Sequence, residues 1–370
     1  MCLLLLIFFP PSCVAIGIVL AVGGGVVVAA PSNAAVANVA LGIFRTGCFR
    51  RDEIVIWGDG CDESVRFLNP RYRYDRFLSF QKRYSECDER TKSKELQSFA
   101  AWLQLDKCST IKDINEVCQF SADPFASARV VLCTLNSAGS HFLRKSVQDR
   151  FELFVLDEAG QCPEAEFFIA TTFPGVRRIV LLGDPKQLPA TVLNHECQKA
   201  GYGESFLSHV LEFYPEKVHL LELQYRSDPR ILHLYNNLFY SAQIQSHDCV
   251  RNRKPAIEFP LKFMDTSGMG QELSNDRSWA NEYELVAIES ILQNDPDIQK
   301  IQNESPVPPR IIVISPYRGQ VELLKRQLAK MKSYRLEIGT VVSQPSSLCT
   351  KAMCSLYTWH GGIKPIFLRS

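Results

Sequence analysis

No charged residue precedes Arg45 in this 370-residue chain, and no lysine precedes Lys82. A secretory leader would want Lys or Arg ahead of its apolar stretch, and the opening residues supply neither. The chain also lacks an excess of either charge, with 41 Lys+Arg against 40 Asp+Glu. That balance excludes a strong overall field for phosphate or lipid, although a local groove can still hold a polyanion. None of the thirteen cysteines has CxxC spacing. An odd, unpatterned set argues against a disulfide scaffold and a zinc ribbon and fits the reducing cytosol or nucleus. With 46% apolar and 22% charged residues and 20 each of Gly and Pro, collagen-like, low-complexity and wholly disordered classes are excluded as well. The length suits two domains with separate cores.

The uncharged start consists of CLLLLIFF, Pro10-Pro11, and an 18-residue apolar run from Cys13 to Ala30. Eighteen residues barely span a bilayer, and Gly23-Gly24-Gly25 divides the run. The pattern predicts a buried helix over Val14–Val22, a buried strand over Val26–Ala30, a turn at Pro31-Ser32-Asn33 and a helix over Ala34–Ile43. Membrane tethering by residues 1–30 is the lesser alternative.

At Arg45 the composition changes to a charged, aromatic segment reaching about Asp123. Within it, Arg71–Tyr84 (RYRYDRFLSFQKRY) interleaves basic and aromatic residues. It could stack bases and neutralise phosphates. The favoured reading is an amphipathic helix with Tyr74, Phe77 and Leu78 packed inward. From Ala128 the pattern is strand, loop, helix: the apolar runs Val130–Leu132, Phe151–Leu156 and Ile179–Leu182 each end in a polar cluster. Such runs predict an α/β fold with a parallel sheet covered on both faces, and ligands bind beyond the carboxyl ends of its strands. A further α/β unit starts near Leu221. It has a helix carrying Ile231, Leu234, Tyr235 and Leu238 on one face, a strand over Ile311–Ile314, and a helix with Val321, Leu324 and Leu328 on one face. Ser241–Lys254 and Asn294–Arg310 read as polar loops or linkers.

The strongest chemical signal is FELFVLDEAGQ, residues 151–161. A buried strand delivers adjacent carboxylates, Asp157 and Glu158, to its exit. Mg2+ takes one or two carboxylates plus phosphate oxygens and waters, so Asp157 can hold it. Glu158 can orient and deprotonate a water for attack on a γ-phosphate. The plain alternative is an acidic pair starting a helix, where it complements the dipole. IVLLGDPKQLPAT (179–191) repeats the strand-and-polar-turn arrangement and brings Asp184 and Gln187 to the same sheet edge. The amide of Gln187 both donates and accepts, which suits it to sensing a γ-phosphate.

DEAGQ, GDPKQLPAT and LQYRSDPRIL, in this order, resemble superfamily-1 helicases of the senataxin and nonsense-decay type. VVVAAPSNAAV is similar to the family's motif Ia and VVLCTLNSAGS to its motif Ic; VISPYRGQ and EIGTV resemble motifs of the second RecA-like domain. The resemblance covers Val26–Val341. It implies two RecA-like domains that bind ATP and Mg2+ and engage single-stranded RNA or DNA, with RNA-processing proteins as possible partners. The implied division is an atypical apolar N-terminus (1–25), a first RecA-like domain (26–220) with a helical insertion (45–123), a partial second one (221–341) and a divergent tail (342–370). By the same resemblance, Asp157 is the metal ligand, Glu158 the catalytic base, Gln187 the γ-phosphate sensor and Arg226 an arginine finger. Tyr225 lies against adenine, with Gln161 and Asp184 also at the nucleotide. Ser32, Asn33, Thr134, Pro316, Tyr317 and Thr340 touch the nucleic-acid backbone.

Two features depart from the family pattern. No G-x-x-x-x-G-K-[ST] loop occurs in the sequence, so its backbone cradle, its ammonium and its Mg2+-binding hydroxyl are lacking. After Val341 the tail continues without an acidic residue and without clear periodicity, and is expected to be loosely held. The expectation is an ATP-dependent helicase-like protein with impaired turnover, in cytoplasm or nucleus. The rival is a non-catalytic nucleic-acid- or protein-binding remnant.

Overall fold

A computed structural model describes residues 24–105, 110–117, 123–253, 261–264, 271–273, 278–304, 308–331, 333–340, 353–357 and 365–368. The expectations for the first 23 residues, for Val341 and for most of the tail lie outside the described residues. The chain divides into two compact units, Met1–Leu221 and Glu222–Ser370.

In the first unit, β1 (Gly25–Ala30) is a run of small and β-branched residues, all six buried. Ser32 then starts α1 (Asn33–Arg45), its Oγ accepting from the Ala35 N–H at 3.2 Å. This cap satisfies one of the donors that a helix start leaves unpaired. Next come β2 (Ile54–Trp57) and two helices, α2 (Pro70–Glu86) and α3 (Glu89–Trp102). They are followed by β3 (Val130–Thr134), β4 (Phe151–Leu156), β5 (Arg178–Leu181) and α4 (Phe206–Phe213).

The five strands form a parallel sheet in the order β2-β3-β1-β4-β5. β2 falls inside the expected insertion yet is an edge strand of this sheet. Val26, Val28 and Ala30 pack with Val36, Val39, Ala40 and Ile43 of α1 and with Leu132, Leu153 and Val155. Burial on both faces is the reason these strands read as unbroken apolar runs.

The α2 face differs from expectation. Tyr74 and Leu78 are 45% and 46% exposed, while Phe77, Phe80 and Tyr84 face a cluster with Leu96, Phe99 and Ala100 of α3. Phe80 and Phe99 stack at 4.4 Å. The spacings 77, 80, 84 and 74, 77, 78 are both helical, so periodicity could not choose between them. Packing against α3 did.

The second unit begins with β6 (Leu223–Gln224), α5 (Pro229–Phe239) and β7 (Gln245–Ser246), with β6 and β7 paired in parallel. On α5, Ile231, Leu232 and Asn236 are buried and Leu238 is 67% exposed, so the inward face lies one position off the expected stripe. β8 (Leu261–Phe263), β9 (Gln271–Leu273), β10 (Ser278–Ala280), α6 (Glu282–Asn294), α7 (Pro296–Glu304), β11 (Arg310–Ser315), α8 (Arg318–Leu328) and β12 (Arg335–Thr340) follow. Both supposed linkers therefore hold regular structure: β7 and the short helix Asp248–Arg251 in one, α7 in the other.

The sheet of this unit has the order β12-β11-β13-β14-β8, where β13 is Met353–Tyr357 and β14 is Pro365–Leu368. β12 and β13 flank β11 in parallel, and β14 and β8 continue antiparallel. The tail expected to be loosely held thus supplies two strands. Leu285, Ile288 and Leu292 of α6 pack with Ile311, Val313, Leu324 and Leu328.

Candidate nucleotide and nucleic-acid site

Two polar turns leave neighbouring strands of the first sheet. At the end of β4, the Asp157 N–H donates to the Ala29 carbonyl at 2.8 Å, extending the β1–β4 ladder by one residue. Glu158 then adopts φ +52° and begins the single-turn helix Ala159–Gln161. For a residue with a Cβ this left-handed conformation is uncommon and strained. Beside it, Leu182 donates to Leu156, and Ala159 donates to Leu182, both at 2.8 Å.

The turns touch through glycine. A Cβ on Gly160 would lie 2.8 Å from the Asp184 carbonyl oxygen, and one on Gly183 would lie 2.8 Å from the Ala159 nitrogen. Only glycine permits that approach. Side-chain bonds then run within each turn. Gln161 Nε2 donates to Glu158 Oε2 at 3.3 Å, and Gln187 Nε2 donates to Asp184 Oδ2 at 2.9 Å. Asp184 Oδ1 accepts from the Lys186 N–H at 2.9 Å. Asp157, Glu158, Gln161, Asp184 and Gln187 therefore occupy one joined pair of turns at the carboxyl edge of β4 and β5.

Asp157 is 5% exposed. Burial, and secondly the charge of Glu158, push its carboxyl up to about 8, against a smaller opposing effect from a hydrogen bond with the Glu158 backbone. A buried acid raised in this way favours an arriving cation. Among the described residues no cluster of three or more His, Cys, Asp and Glu side chains could cage one. One or two carboxylates, completed by waters and phosphate oxygens, is the set that Mg2+ accepts and Zn2+ does not prefer. Asp157 with Glu158 beside it fits that cation.

Thr134 ends β3 and pairs with Ala30, the last residue of β1, and Ser32 and Asn33 follow shortly after β1. Asn33 and Thr134 line one narrow crevice with Trp57 and Gly58. Thr134 Oγ1 accepts from the Ser137 N–H at 3.2 Å, capping the helix Leu135–Ala138, so both hydroxyls at this edge serve as helix caps.

In the second unit, Tyr225 and Arg226 are half-buried and follow β6 directly. The Tyr225 ring stacks on His247, centroids 4.4 Å apart and planes at 29°. Sequence reasoning missed His247, because it lies in the stretch read as linker and no motif marks it. Pro316, Tyr317 and Thr340 gather at the ends of β11 and β12, where Ser315 pairs with Thr340. The Tyr317 N–H donates to Ser315 Oγ at 3.2 Å. A cavity of about 430 Å³ lies elsewhere, against Phe206, Val210, Phe213 and Tyr214 of the first unit, and no candidate residue lines it.

A family model described as an AAA domain matches residues 62–195, and a second, also described as an AAA domain, matches 202–344. An uncharacterised ATP-dependent helicase of Methanocaldococcus jannaschii is 26% identical over 76% of this chain and 43% of its own length. Helicase SEN1 of Saccharomyces cerevisiae is 28% identical over 54% and 9%. The regulator of nonsense transcripts 1 homolog of Neurospora crassa is 27% identical over 85% and 28%. The chain belongs to the superfamily-1 helicases of the senataxin and nonsense-decay type. It spans less than half the length of these curated relatives. Among solved structures, an arterivirus nonstructural protein 10 (helicase) bound to DNA aligns over 94% of this chain and 62% of its own. Its TM-score is 0.34 and its identity 11%, a likeness too loose to bear on the fold. The joined turns at β4 and β5 are formed by the stretches DEAGQ and GDPKQLPAT. No helix of the described residues is long and apolar enough to cross a membrane.

Proposed function

We propose that this chain is an ATP-dependent helicase-like protein that acts on single-stranded RNA or DNA in the cytoplasm or nucleus, with impaired ATP turnover. The observation that carries this reading is the joined pair of turns, which sets a buried carboxyl, a second carboxylate and an amide at one sheet edge. Asp157 would hold Mg2+, which when bound neutralises phosphate charge and orients the γ-phosphate. Glu158, freed from Gln161, accepts the proton of an attacking water, and Gln187 hydrogen-bonds the phosphate from the adjacent turn. Tyr225 takes the base and Arg226 supplies positive charge to the γ-phosphate. The nucleic-acid contacts fall to Ser32, Asn33 and Thr134 in one unit and to Pro316, Tyr317 and Thr340 in the other. Backbone contacts of this kind are blind to sequence.

The impairment follows from the lack of a phosphate-binding loop in the sequence. Catalysis of phosphoryl transfer is mostly positioning and charge stabilisation, so that loss costs orders of magnitude in rate. ATP hydrolysis measured with and without single-stranded RNA tests the reading: slow, RNA-stimulated turnover that Glu158→Gln abolishes is expected. Salt-sensitive RNA binding with no nucleotide dependence would instead identify a non-catalytic binding remnant.

A further inference from the structure

Gln224 is the last residue of a two-residue strand, carries a polar side chain, and is 0% exposed. Its Oε1 accepts from the backbone N–H groups of Arg226 and Ser227, both at 2.7 Å. Its Nε2 donates to the Ser227 carbonyl at 2.8 Å and to Ser246 Oγ at 2.7 Å. These four bonds use both lone pairs and both hydrogens of the amide. The opposite amide orientation would face two N–H donors with a third, so the network leaves one assignment.

Three of the four bonds grip residues 226 and 227, and the fourth ties them to β7. β7 is locked to the same place by its backbone, since the His247 N–H donates to the Gln224 carbonyl at 3.0 Å. That bond brings the His247 ring onto Tyr225. His247 is itself held through its Nδ1, which accepts from the Cys249 N–H at 3.2 Å. A single buried amide thus fixes the turn that carries Tyr225 and Arg226, and its β7 partner backs the Tyr225 ring.

We propose that Gln224 is the positioning residue for this turn: it presets Tyr225 and Arg226 to receive a nucleoside triphosphate, with Ser246 and His247 as its buttress. The proposal rests on the nucleotide reading given for Tyr225 and Arg226. The physical gain is preorganisation. Arginine loses much side-chain freedom on binding, and a backbone already fixed removes part of that cost.

Two measurements on the full chain separate this role from simple support of the fold. Amide hydrogen exchange of Arg226 and Ser227 needs no nucleotide. Gln224→Ala speeds it by about five- to tenfold, as expected for losing a bond of about 1–1.5 kcal/mol, and leaves α5 protected. Gln224→Glu, which keeps the oxygen that accepts from Arg226 and Ser227 and loses only the donor, retains more protection at these two amides than the alanine variant does. The second measurement is equilibrium binding of a fluorescent, non-hydrolysable ATP analogue with Mg2+. Gln224→Ala weakens it in the parent and has no further effect in a Tyr225→Ala, Arg226→Ala background. Unchanged exchange at 226 and 227 overturns the positioning claim, as does a loss of affinity of the same size in both backgrounds. No analogue binding by the parent overturns the nucleotide reading of this turn, while exchange still decides whether Gln224 sets it.

Discussion

Asp157 is the residue at which the chain gives up stability. Its carboxyl titrates near 8 in the fold instead of 3.8, so between these values the folded chain holds a proton that the unfolded chain has released. The contribution of Asp157 to stability is then greatest below about pH 4 and falls as pH rises towards 8. Asp157→Asn removes the titration. Without divalent cations, the variant is expected to melt above the parent at pH 8, by about 1–3 kcal/mol, and near it at pH 4. Added Mg2+ should raise the melting temperature of the parent at pH 8 and leave Asp157→Asn unmoved. Equal melting curves for parent and variant across this range would refute the assignment. Glu158 contributes twice, through a charge that raises its neighbour and through a backbone at φ +52°.

At the scale of elements, the joined turns depend on two glycines more than on any side chain. Gly183→Ala drives a Cβ against the backbone of Ala159 and Gly160. Ala159 is held in place by its own N–H, which donates to the Leu182 carbonyl at 2.8 Å. A loss of about 1–3 kcal/mol in urea unfolding is expected, the usual scale for overpacking. Retained stability with the turns intact would show that the contact can relax. The α2–α3 pair offers a contrast between faces. Phe80→Ala, at the stacked core of the pair, should cost about 3–5 kcal/mol, and Tyr74→Ala on the exposed face about 0.5 or less. The reverse ranking in chemical denaturation would restore the inward stripe expected from periodicity.

At the scale of the molecule, each unit has its own apolar core: one under the parallel sheet of the first, another between α6, α8 and β11 of the second. Separate cores unfold as separate cooperative steps unless they are strongly coupled. Calorimetry is therefore expected to resolve two transitions, and a single one with equal calorimetric and van't Hoff enthalpies would contradict this.

What the amino-acid order alone determined is everything written as a continuous pattern. The parallel strands were legible because burial on both faces demands unbroken apolar runs such as VVVAA and FELFVL. The acidic pair and GDPKQ were legible because they sit where such runs stop. Distance along the chain hid the rest. Only the tertiary structure decided that α3, and not solvent, selects the inward face of α2, that a segment within the insertion adds an edge strand, and that residues 245–247 pair with 223–224. His247 meets Tyr225 across 22 positions of sequence, and no local periodicity can encode that contact. The reason is physical: a strand's apolar pattern reports that it will be buried, while the identity of its partner depends on which surfaces remain open once the sheets have formed.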